Sequence, residues 1–202
     1  MKDIDNIIEQ IKKKLDNNMH DHISNLIKIP TKEELEVITN LYKTYSLSNS
    51  AYDEDELINL SNYTVPQIVN EFYMKFSTID GIELGGDVMF LSLEGIRREN
   101  SELTPGALLI KYGLITIATT IGGNVICLDL NITNDEEPSV VIADRTIFTD
   151  KKIIVFKNGN MIKENLSYEV IKKYVVEINR TFTGFLEMLI NEEIDDVEEY
   201  LD

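Results

Sequence analysis

Between residues 65 and 80 apolar side chains recur every three or four positions, at Val65, Ile68, Val69, Phe72, Phe76 and Ile79. This period puts them on one helical face, and Pro66 suits a first turn, where an N–H has no intrahelical acceptor. Asp80-Gly81 is a stop signal, so a helix is predicted across the stretch. Upstream, Ile4, Ile7, Ile8, Ile11 and Leu15 form the stripe of a first helix. Thr31 and Glu34 have capping-box spacing ahead of Leu35, Ile38, Leu41, Tyr42 and Tyr45, which predicts a second. In the YDEDELINL segment, Asp53 to Glu56 read as acids gathered at a helix start rather than as a metal site.

The pattern changes after residue 80. No glycine precedes Gly81, yet eight of the ten fall between Gly81 and Gly123. Glycine marks turns and weakens helices, so residues 81–157 read as strands joined by turns. Candidate strands cover 87–93, 107–112, 114–120, 124–130, 140–143 and 152–156, with Gly113 and Gly122-Gly123 as hairpin turns of an antiparallel meander. Residues 131–139, NITNDEEPS, read as a flexible excursion from the sheet. From Ser167, helical spacing returns through Ile171, Tyr174, Val175, Ile178, Phe182, Phe185, Leu186 and Leu189. A continuous helix is the preferred reading, although Thr181, Thr183 and Gly184 are points where a strand or shorter helix could be divided off. Ile194, Val197 and Leu201 extend the spacing into a charged helical tail. Helices at both ends around a block of strands predict an α+β fold, not alternating βαβ units. We expect one domain over 1–202, with a helical part at 1–64, a core at 65–190 and an acidic segment at 191–202.

Composition fits such a domain, with 43% hydrophobic and 27% charged residues in 202. No apolar run reaches membrane-span length and the N-terminus lacks a signal-peptide core, so a cytoplasmic protein that does not enter membranes is expected. Net charge is -17, and seven acids lie between residues 191 and 202 without a base. Such a surface repels nucleic-acid phosphates and steers basic partners inward, although the same charge also serves solubility.

Catalytic motifs are missing from the sequence: it has no P-loop, no G-x-S-x-G, no H-E-x-x-H and no dinucleotide glycine motif. On a helix His20 and His22 would face different sides and only on a strand would they share one, so a polar helix end is the plainer reading than a metal pair. Cys127, the single cysteine, sits in the alternating VICLDL stretch and reads as a buried small side chain. Asp129 and Asp144 are the remaining acid or base candidates, at strand ends where solvated carboxylates are common. Gly122-Gly123 leads into a strand rather than a helix, so it offers no phosphate cradle. No catalytic, metal or cofactor site is expected.

The succession VPQIVNEFYMKFSTIDG, DVMFLSL, GALLIKYGLITIATTIGGNVICLDL, VVIAD and TFTGFLEMLI resembles the SUKH superfamily, which includes the yeast cell-wall assembly regulator and many bacterial immunity proteins. The resemblance covers about residues 65–190. It carries Pro66, Phe72, Gly81, Gly122, Asp129, Phe182, Phe185 and Leu186 over as structural markers. It implies helices on a mostly antiparallel sheet of about six strands, used as a binding platform. It also implies an antidote to a toxin, often a nuclease, whose basic cleft an acidic surface can occupy. Glu83, Asp87, Glu94 and Asp144, near the sheet turns, are the expected partner contacts. A scaffold or regulator of the same fold is the alternative, and an enzyme resting on Asp129, Asp144 and the histidines is the third.

Overall fold

The computed structural model describes residues 3–18, 27–42, 63–78, 82–149 and 152–201. The predicted first helix is α1 (Ile4–Asn18), whose five predicted stripe residues are all buried. In α2 (Lys32–Thr39) the expected capping box is complete: Glu34 N–H donates to Thr31 Oγ1 and Thr31 N–H donates to the Glu34 carboxylate. These two bonds satisfy N–H groups that the first helical turn leaves without partners. His20, His22, Tyr45, the acids at 53–56 and Gly81 lie outside the described residues.

The helix predicted from Pro66 forms, but only as α3 (Gln67–Lys75). Phe76 is already extended, and Ser77–Thr78 (β2) pairs with Ile27–Lys28 (β1). The aromatic side chains still meet as the period requires, with Phe72 5.0 Å from Phe76 and 5.3 Å from Phe182 between ring centroids.

The main sheet is antiparallel throughout and holds six strands in the order β11-β7-β6-β5-β4-β3. Its members are β3 (Ile82–Gly85), β4 (Val88–Phe90), β5 (Leu114–Thr120), β6 (Val125–Asn134), β7 (Glu137–Ala143) and β11 (Val175–Asn179). This is the α+β architecture expected, built from a different set of strands. The predicted strand at 107–112 is helical, as α5 (Gly106–Leu109) and a 3-10 turn. Gly113 closes that turn at φ +79, a left-handed cap rather than a hairpin corner. Helix α4 (Leu93–Ser101) also interrupts the meander, with Ser92 accepting from Gly95 N–H as its N-cap. The continuous helix from Ser167 does not form. A short α6 (Tyr168–Ile171) leads into edge strand β11, and only then α7 (Phe182–Ile190) begins, with Thr181 as its N-cap. Apolar spacing alone could not separate these: Ile171, Tyr174 and Val175 pack on one face of the sheet, whereas Ile178, Phe182 and Phe185 pack on the other.

Both sheet faces are covered. One packs against α1, α3 and α7 around Phe72, Phe90, Phe182 and Phe185. The other carries Cys127, Val141 and Leu114 against Phe148, Ile153 and Ile171. That second layer includes a small sheet of β8 (Phe148–Thr149), β9 (Lys152–Lys157) and β10 (Asn160–Asn165). Among the described residues no helix is long and apolar enough to cross a membrane.

Candidate protein-binding surface

The four acids expected to touch a partner stand on separate elements. Glu83 is exposed on β3, and Asp87 lies in the β3–β4 turn at φ 57. Glu94 opens α4, where Arg97 donates to it at 2.6 Å and holds its carboxyl below the usual carboxylate range. Asp144 accepts from Thr146 N–H at 2.8 Å and from its hydroxyl at 2.7 Å. Register sets their spacing. Val88 faces Thr120 and Val125 faces Ala143, so Asp87 and Asp144 fall at one end of the sheet with the β5–β6 turn. Glu94 follows the far end of β4.

That turn end holds an acid the sequence did not single out. The predicted helical tail is absent: α7 stops at Ile190, and Val197–Leu201 forms a 3-10 turn laid over the sheet end. Val197 N–H donates to Gly86 O at 3.1 Å, and its side chain is buried. The Glu198 carboxylate accepts from Thr120 Oγ1 and, at 2.9 Å, from Asn124 Nδ2. A Cβ on Gly122 would press on this carboxylate, so glycine there leaves room for the Glu198 bonds. Thus part of the terminal negative charge is structural.

Arg145 ties the same end together. It donates to Gly123 O at 2.7 Å, to Thr104 O at 2.9 Å and to Glu99 at 2.5 Å. Burial lifts the Glu99 carboxyl above its ordinary range, opposed by the neighbouring Arg145 charge.

Cys127 and Asp129 are committed to the interior. Burial pushes the Cys127 thiol up to about 12, so a thiolate nucleophile is not populated at neutral pH. Asp129 is buried and accepts from Asn131 N–H at 2.9 Å, from Asn131 Nδ2 at 2.9 Å and from Tyr168 OH at 2.9 Å. Those bonds join β6 to α6. Among the described residues no group of three His, Cys, Asp or Glu is arranged to hold a metal ion.

A cleft of about 430 Å³ opens at the other end of β6 and β7, within the size range of ligand and side-chain pockets. The excursion predicted at 131–139 is part of the sheet: β6 continues to Asn134, and β7 begins at Glu137. The two-residue tip, Asp135 and Glu136, projects beside the start of α3. Pro66 and Ile68 give the cleft apolar surface, while Glu71, Asp135 and Glu136 supply negative charge. Glu137 turns inward and accepts from Thr183 N–H at 2.7 Å and Thr183 Oγ1 at 2.8 Å, fastening the hairpin to α7.

A family model described as SMI1 / KNR4 family (SUKH-1) matches residues 50–188. Nothing among curated proteins or solved structures matches the chain.

Proposed function

The chain belongs to the SMI1 / KNR4 family (SUKH-1), and from that membership we propose that it is an immunity protein that neutralises a cognate toxin by stoichiometric binding. The family match over residues 50–188 carries this reading. The net charge of -17 supports it, because an acidic surface suits the basic, phosphate-binding cleft of a nuclease and speeds encounter with it. In this reading the protein acts in the cytoplasm as one domain, without turnover or cofactor, and exposed acids such as Glu83, Asp87, Glu94 and Asp144 meet the toxin.

Calorimetric titration with a basic toxin domain encoded beside its gene tests the proposal. A one-to-one complex that abolishes toxin activity and weakens with salt is the expected result. No complex at low salt, or binding to several unrelated proteins instead, replaces it with a scaffold role. Within a complex, reversing the four acids should slow association roughly tenfold and flatten its salt dependence. Unchanged kinetics in stopped-flow mixing remove them from the interface.

A further inference from the structure

The β9–β10 hairpin departs from the charge and polarity of the rest of the chain. Residues 151–165 carry four lysines against the single Glu164, a local charge of +3 within a chain of -17. Glu164 faces Tyr174 and Lys173, both of which donate to it. The register sorts the remaining side chains. Met161 lies opposite Phe156, Lys163 opposite Ile154 and Asn165 opposite Lys152, and these six alternate with the row that contains buried Ile153. Phe156 is 73% exposed and Met161 52%, directly across the strand pair from each other. An aromatic and a methionine side by side in water are residue types enriched at interface centres, and Lys163 shares their face as a polar rim.

Lysines facing lysines disfavour two such hairpins stacked on each other, and lysine on edge strand β10 disfavours strand addition there. The opposite character is found on the same molecule. The cleft between α3 and the β6–β7 tip has apolar Pro66 and Ile68 beneath acidic Glu71, Asp135 and Glu136. We infer that the β9–β10 hairpin docks on a second copy of this chain, Phe156 and Met161 entering that cleft while the lysines meet its acids. Made reciprocally about a two-fold axis a hairpin-to-cleft contact closes a dimer, and made head to tail it propagates into a ring or an open chain. Repulsion between two chains of -17 opposes approach, but at 0.15 M salt it is screened beyond about 8 Å, whereas the docked charges lie within that distance. This inference is independent of any toxin.

Sedimentation velocity of the full chain over a wide concentration range at moderate salt tests it. Wild type should associate as concentration rises, into a two-fold dimer, a ring or a growing chain. Phe156→Ser with Met161→Ser should abolish association, at about tenfold or more in affinity for each apolar side chain. Asp135→Lys with Glu136→Lys should abolish it from the other side. Mixing the two variants leaves one intact hairpin and one intact cleft, so a dimer and nothing larger should form. A wild type that stays monomeric overturns the inference, including one that instead floats with phosphatidylserine vesicles. So does a dimer that survives the tip reversal, which would mark a hairpin-to-hairpin contact. Unchanged thermal melts verify folding, and if the tip pair melts early, Glu71→Lys serves as the cleft variant.

Discussion

Two hairpins of this molecule use the same turn with opposite means. At the β6–β7 tip Asp135 and Glu136 have φ 51 and 67, and at the β9–β10 tip Asn158 and Gly159 have φ 52 and 77. Two successive left-handed residues are the tight turn that suits strand twist, and Asn-Gly is its preferred sequence. The second hairpin has that sequence, a six-residue ladder and an outer face open to water. Asp-Glu meets the geometry poorly, because a Cβ at positive φ crowds the following carbonyl. Strand β7, buried along its whole length, and Glu137 bonded into α7 hold the first hairpin despite its tip. Strong tertiary support frees a turn from local sequence preference, and here the freed positions place two acids at a cleft.

Removing that support should have the largest effect. Glu137→Ala leaves the Thr183 N–H and hydroxyl buried without their acceptor. A loss of about 3 kcal/mol is expected in urea unfolding, and a loss under 1 kcal/mol would mean the ladder alone fixes the tip. Exchanging turn residues comes next. Glu136→Gly should stabilise by about 1 kcal/mol, whereas Gly159→Ala should destabilise by about 1 kcal/mol. Gly159 has no atom within 4 Å of an added Cβ, so its loss would report backbone strain alone. Equal and opposite shifts in thermal melting would establish that the tips differ only in sequence.

The smallest effect concerns pH. Glu164 on β10 is held below the usual carboxylate range, first by the Tyr174 hydroxyl and then by Lys173. Its folded pKa lies below the unfolded value, so its contribution is present above about pH 4.5 and lost as pH falls through the folded value. The melting difference between wild type and Glu164→Gln should therefore shrink on acidification. A difference that holds constant would detach Glu164 from the hairpin's anchoring.

How much of this was legible varies by element. The α1 stripe and the Thr31–Glu34 box were readable because each is complete within a few residues. Strand β5 was readable from its β-branched run between turn signals. Asn158-Gly159 was a hairpin signal available in the sequence, and it would have located β10. The 131–139 segment hid its hairpin because Asp-Glu is no turn signature, so it read as a loop outside the sheet. Of the expected contacts, Asp87 falls in the β3–β4 turn and Asp144 just after β7, locations that nearby turn signals made readable. The cleft residues Glu71, Asp135 and Glu136 were not anticipated, since they lie far apart in sequence and carry no motif.

Residue order alone set the α1 stripe, the Thr31–Glu34 cap, the acidic balance and the family, all fixed by neighbours or by sums over the chain. Tertiary structure decided which apolar stretches became strand or helix. It turned the tail into a strap through Val197 and Glu198, and it brought α3 beside the β6–β7 tip. Those outcomes depend on long-range packing, where burial of a whole face outweighs the roughly 1 kcal/mol of a local preference.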